Sequence, residues 1–153
     1  MSRAINGCCL CGEVNFQIVT SAENPGMLAP FELCHCNRCR KSSGTAFVAG
    51  IRVRTDAFSF LSGEGLIDTF EAPIVNAPPP YTTAFCRRCG SPVPNPDMDS
   101  EYFEIAAGLL DDDPGVMPDK HIYVEFKSSW YGIIDDLPKF TAAQIRQHRQ
   151  SGD

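Results

Sequence analysis

Three cysteines crowd into six positions in CHCNRC, residues 34 to 39, with Arg40 and Lys41 directly behind them. A thiolate is both a nucleophile and a soft metal ligand, so three thiols at this spacing point to bound metal or reactive sulfur. The other five cysteines form two groups, Cys8, Cys9 and Cys11, then Cys86 and Cys89. CRRCG at 86–90 has zinc-knuckle spacing: two thiolates grip one ion, backbone N–H groups turn toward the sulfurs, and Gly90 permits the tight turn. A knuckle supplies half a tetrahedron, and its second pair must come from elsewhere in the chain. Spacing alone leaves that pair open between Cys9 with Cys11 and two members of the middle group. Cys34, Cys36 and Cys39 can also give three ligands to one ion by themselves. Three protein ligands with a vacant fourth position are the pattern of a reactive zinc, four that of a closed structural one.

Side-chain alternation sorts the neighbours. In an extended CCLC segment Cys8 faces away from Cys9 and Cys11, and is expected as a small buried apolar filler. In an extended CHC segment His35 turns away from Cys34 and Cys36, which favours packing or a hydrogen bond over ligation. Arg38, Arg40, Lys41, Arg87 and Arg88 read singly as solvated surface, and as a group could balance thiolate charge or meet substrate carboxylates. Asp111, Asp112 and Asp113 read as an exposed turn ahead of Pro114. Ser42 and Ser43 read as caps, since no base lies beside them, and Trp130 and Tyr131 as core.

These residues need a frame, and 153 residues suffice for one domain spanning 1–153 with a buried core. With 43% apolar and 21% charged residues the composition is globular. The net charge of −6 and pI near 5.0 argue against nucleic acid, whose binders carry a basic surplus. No apolar run approaches the ~20 residues of a membrane span, and no secretory leader is evident, so a cytoplasmic location is expected. Thiols stay reduced there, which favours metal ligation over disulfides.

Period-two alternation dominates. Val14, Phe16 and Ile18 share one face of a strand, as do Phe47, Ala49, Ile51 and Val53. FSFL and LIDTF flank SGEG and predict a hairpin; YFEIAAG, HIYVEF and WYGII predict further strands. A short helix is expected over 37–43, stopped by Gly44. A second is expected in FTAAQIRQHRQ, with Thr141 and Gln144 as a capping box and Phe140 with Ile145 as a hydrophobic staple. The proline-rich segment 71–81 reads as an irregular loop. The expected class is all-β, several short coiled antiparallel sheets around zinc sites, with a short C-terminal helix.

The ordered motifs GCCLCG, CHCNRCRKSSGTAF, FCRRCGSP, AAGLLDDDP and HIYVEFKSSWYGIIDDLPKF resemble the glutathione-dependent formaldehyde-activating enzymes over most of the chain. The resemblance implies an all-β fold, a structural zinc on Cys9, Cys11, Cys86 and Cys89, and a catalytic zinc on Cys34, Cys36 and Cys39. It further implies a carbon–sulfur lyase of S-(hydroxymethyl)glutathione synthase type, joining glutathione or a related thiol to an aldehyde or cleaving the adduct. The chain departs from the family pattern in the 71–80 loop and in VPNPDMDS after the knuckle, segments that could shape a pocket. The rival reading is a zinc-stabilised β module that carries thiol adducts or binds a protein without catalysis. The oligomeric state is not legible in the sequence.

Overall fold

The computed structural model describes residues 1–23, 29–72 and 81–152. Most of the expected 71–81 loop therefore lies outside the described residues. The chain is mostly β-sheet with two helices, the second short and C-terminal. It divides into two compact units, Met1–Ala29 with Ile51–Val116, and Pro30–Gly50 with Met117–Asp153.

In the first unit, β1 (Arg3–Cys8) and β2 (Asn15–Thr20) pair antiparallel from Arg3↔Thr20 to Cys8↔Asn15. The strand β5 (Phe58–Ser62) adds to the other edge of β2. Alternation does what it predicts here: Val14, Phe16 and Ile18 are each at most 1% exposed. Ile51 and Val53 on β4 (Val48–Arg54), and Ile105 on β8 (Tyr102–Ala106), are buried as well. Phe58 packs at aromatic distance against Phe16 (5.6 Å) and Phe103 (5.0 Å).

FSFL and LIDTF do not form the expected hairpin. β5 pairs with β2, whereas β6 (Ile67–Ala72) pairs antiparallel with β7 (Tyr81–Cys86) in a separate sheet. Gly63 explains the break. Its φ of 80° is left-handed, and a Cβ there would sit 2.3 Å from the Glu13 carbonyl oxygen, so the chain turns away from β5 against that backbone. A 3₁₀ turn over Glu64–Leu66 then starts the second sheet. Ile67 faces Cys86 in its register, which delivers the strand end to the knuckle.

The turn at 111–113 is exposed at Asp111 and Asp113 as expected, and it is also fastened to β1. Asp112 Oδ2 accepts from the backbone N–H of Asn6 (2.8 Å) and from its side-chain amide (2.9 Å), and the Arg3 guanidinium donates to the Asp113 carbonyl. Gly7 bridges Leu110 in the same seam. Cys8 is consequently half-buried beside Asp111, not the fully buried filler its alternation suggested; burial and then the Asp111 carboxylate push its thiol pKa up.

In the second unit β3 (Phe31–Cys34), β9 (Lys120–Ile122) and β10 (Lys139–Phe140) lie side by side. Both pairings are parallel, unlike the antiparallel sheets expected. Long connections run from β3 to β9 and from β9 to β10, and such connections permit parallel pairing. The helix α1 (Asn37–Ser43) follows β3 and ends on Gly44 at φ 68°. Helix α2 (Ala142–Gln150) carries the full predicted capping box, Thr141 Oγ1 accepting from Gln144 N–H and Gln144 Oε1 from Thr141 N–H. Ile145 anchors it at 1% exposure, while Phe140 meets His148 (ring centroids 4.9 Å). WYGII forms no strand: Trp130 is 73% and Ile134 96% exposed, so Trp130 is not core. Tyr131 is half-buried against Phe47 and His35. Among the described residues no helix is long and apolar enough to cross a membrane.

Candidate metal centres

In the first unit, CLCG at 9–12 and CRRCG at 86–90 each fold into a tight turn closed by its glycine. The Gly12 N–H donates to the Cys9 carbonyl (2.9 Å) and the Gly90 N–H to the Cys86 carbonyl (2.7 Å). Both glycines sit at φ 75°, where a side chain would be strained. The turns bring Cys9, Cys11, Cys86 and Cys89 together with all four sulfurs within 4.8 Å of one another. Cys9 and Cys11 sulfurs are 3.4 Å apart, Cys11 and Cys86 3.8 Å, and every described cysteine is a free thiol. A tetrahedral zinc with sulfur at ~2.3 Å spaces its ligands about 3.8 Å apart, so this donor set fits such an ion. Cys9 and Cys86 are buried in a small core with Val14, Ala84 and Val93. The Val14 N–H donates to Cys9 Sγ (3.4 Å), and the hydrogen bond with the Ser91 hydroxyl pulls the Cys89 pKa down to about 5. Arg88 pairs with Glu13 and Arg87 with Asp68, so both knuckle arginines are engaged by carboxylates of the same unit.

In the second unit, Cys34 closes β3, Cys36 caps α1 and Cys39 lies in its first turn, and their three sulfurs also lie within 4.8 Å of one another. The Cys36 sulfur accepts from the Cys39 backbone N–H at 3.4 Å, a helix cap made with sulfur. Hydrogen bonds from Cys34 and Cys39 hold Cys36 as the thiolate, its pKa down to about 2, and the Cys34 thiol is pushed up as the corresponding donor. A cation in this cup would take the place of the shared protons, and a three-sulfur donor set suits zinc with one position left over. Ser42 and Ser43 both donate to the Cys39 carbonyl (3.1 and 2.8 Å) and finish the turn as expected. Arg40 hydrogen-bonds Asn37 (2.5 Å) while its Nε is buried without a partner.

His35 does not join the sulfurs. It is fully buried, and its Nε2 lies 2.8 Å from Nδ1 of His121, also fully buried. His121 Nε2 in turn meets the Asp135 carboxylate at 3.0 Å. The carboxylate accepts from Nε2–H of His121, which leaves Nδ1 to accept from Nε2–H of His35. Burial, the largest cause, lowers the His35 pKa to about 4. The pair thus anchors the residue between two of the three cysteines, and neither His121 nor Asp135 carried a sequence signal that linked it to CHC.

Removing one member strands the other. His121→Leu is expected to cost about 2 kcal/mol in urea unfolding, the price of an unpartnered buried imidazole. Adding His35→Phe to that variant should cost less than the sum of the two single changes. Strict additivity would mean that the 2.8 Å contact couples nothing. The Asp135 contact adds a pH dependence. Its hydrogen bond to His121 lowers the Asp135 pKa below 3.8, so this stabilisation is full above about pH 4 and lost as pH falls through the lowered value.

Two cysteine clusters that could each hold a metal ion, one of four sulfurs and one of three, sit on a mostly β scaffold. The family described as glutathione-dependent formaldehyde-activating enzyme matches residues 4–126, and this chain belongs to it. A Halomonas elongata protein, provisionally named a glutathione-dependent formaldehyde-activating enzyme, is 29% identical over 132 residues, 84% of this chain and 80% of that protein. A crystal structure of a Rhodobacter sphaeroides protein aligns at a TM-score of 0.47 and 19% identity, covering 72% of this chain and 92% of that one.

Proposed function

We propose that this chain is a zinc-dependent carbon–sulfur lyase that makes or cleaves a glutathione–aldehyde adduct such as S-(hydroxymethyl)glutathione, in the cytoplasm. The observation that carries it is the contrast between the clusters: among the described residues four sulfurs converge in one, and only Cys34, Cys36 and Cys39 in the other. We assign Cys9, Cys11, Cys86 and Cys89 to a structural zinc and the trio to a catalytic one.

In the synthetic direction the thiol S–H bond breaks, a sulfur–carbon bond forms to the aldehyde carbon, and the proton ends on the aldehyde oxygen. Zinc held by the trio would supply a Lewis acid that keeps an arriving thiol ionised at neutral pH. A free thiol of pKa near 8.5 is already about 3% thiolate at pH 7, so ionisation alone gains at most about thirtyfold, roughly 2 kcal/mol. Orientation must contribute the larger share. The chain's own contribution is rigidity: Cys36 is tied to the Cys39 N–H, His35 between the ligands is held by His121, and the His35 N–H donates to the Ile122 carbonyl at 3.0 Å.

Metal analysis of anaerobically purified protein should give two ions per chain. Glutathione should then change the visible spectrum of cobalt placed in the three-cysteine site, and turnover of the formaldehyde adduct should exceed the spontaneous rate. A spectrum that ignores glutathione and every other small thiol would sink the enzyme reading. Binding without rate enhancement would favour a carrier of thiol adducts.

A further inference from the structure

We propose that Asp135 is a positioning residue for the three-cysteine cup, setting through His121 and His35 how tightly the cup holds its metal; this rests on the metal assignment made above. Asp135 belongs to no cysteine motif and lies far from the cup in sequence. Its side chain is 43% exposed, while the two histidines between it and the cup are fully buried. A surface carboxylate thus reaches, through two buried imidazoles, the residue that stands between two candidate ligands.

The path is a series of direct contacts. Both Asp135 oxygens approach His121 Nε2, at 3.1 and 3.0 Å, and an ionised carboxylate can only accept there. That fixes neutral His121 as the Nε2–H tautomer. Its Nδ1 must then accept, and His35 Nε2–H donates to it across 2.8 Å. The segment around Asp135 holds both partners in place. Asp135 Oδ1 accepts from the Leu137 N–H (3.0 Å), Lys139 Nζ donates to the Asp135 carbonyl (2.9 Å), and the His121 N–H donates to the Pro138 carbonyl (2.8 Å).

At His35 this orientation becomes the spacing of sulfurs. Side chains alternate along an extended segment, so a turn of the chain that swings the His35 ring swings Cys34 and Cys36 the opposite way. Phe47 and Tyr131 pack against the ring with centroids at 5.4 and 5.9 Å, contacts that fix its place but not its direction. The hydrogen bond to His121 fixes the direction. Two apolar side chains of similar size would fill the same space at little cost, so packing alone does not account for a buried histidine pair. Three thiolates within 4.8 Å repel one another, and the scaffold must hold them to that spacing. Partners of this kind, one step behind the ligands, are where metal affinity is adjusted. The four-cysteine site has separate supports, the Val14 N–H on Cys9 and the Ser91 hydroxyl beside Cys89.

The test measures cobalt affinity by chelator competition, read from visible absorption, with Cys36→Ser protein reporting the four-cysteine site alone. Asp135→Ala should fold, weaken the ion in the three-cysteine cup about tenfold and shift that ion's absorption bands. In the Cys36→Ser background the same change should leave the remaining ion's affinity as it was. Asp135→Asn keeps an oxygen that can accept from His121 Nε2–H, and should recover most of the lost affinity. Nitrogen NMR of the zinc-loaded protein should show His121 protonated at Nε2, a state that Asp135→Ala no longer enforces. Unchanged affinity and bands in Asp135→Ala, or an equal loss at both sites, would overturn the positioning role and leave the metal sites standing. If the unaltered protein takes up one cobalt ion and Cys36→Ser still takes up one, the open site itself fails, and the role of Asp135 falls with it.

Discussion

Cys86→Ser should yield a chain that is unfolded at neutral pH, with lost far-ultraviolet dichroism and no retained metal in the four-cysteine site. Cys86 is fully buried at the end of β7, and its backbone N–H and carbonyl are both spent in the knuckle turn, on Ser91 and Gly90. The core around it is small: Cys9, Val14, Ala84 and Val93 are buried with it, and Phe60, Leu66 and Ile67 pack against them while only partly buried. A structural zinc in a small peptide is worth about 10–16 kcal/mol. Even part of that rivals the entire ~5–15 kcal/mol stability of a domain. The comparison is Cys8→Ser, at a half-buried cysteine outside both clusters, which should fold and keep both ions. A Cys86→Ser protein with native dichroism and two bound ions would refute a structural role for the four-cysteine site.

Cys36→Ser should do the reverse, preserving the fold while abolishing the open site. Serine is among the best helix N-caps, and its hydroxyl can accept from the Cys39 N–H as the Cys36 sulfur does. Melting is expected to fall by no more than a few degrees. The loss lies in ligation: the Cys36 sulfur is one of the three that converge in this cluster, and a neutral serine hydroxyl is a far poorer zinc ligand than a thiolate. Affinity at that position should drop by more than about a hundredfold, beyond the ~10–100-fold of an outer-shell change. Metal content should fall from two ions to one, the glutathione response of cobalt should vanish, and turnover should return to the uncatalysed rate. Two ions and an intact response in this variant would place the chemistry elsewhere.

Local rules did well where the relevant interactions are themselves local. The α2 capping box depends on Thr141 and Gln144, three residues apart, and the α1 stop on Gly44. Alternation found the buried face of β2, because a strand with one covered side must repeat every second residue. The same rules failed where a distant segment chose the partner. β5 and β6 satisfy a hairpin pattern, but β2 and β7 took their edges, and nothing inside FSFLSGEGLIDTF encodes that competition. WYGII has strand composition and no strand neighbour among the described residues, which leaves Trp130 exposed.

The cysteine spacings by themselves determined that sulfur would be grouped and that one group would number three, because two- and three-residue separations hold thiols within reach of one ion. They did not decide which pair completes the knuckle. Only the tertiary structure brings Cys9 and Cys11 to Cys86 and Cys89, across some 75 residues, through the register of β1 with β2 and of β6 with β7. It alone also sets His121 and Asp135 behind His35. Those placements follow from β9 lying parallel to β3, a long-range pairing whose register is selected by burial on the sheet and leaves no mark in any short stretch of sequence.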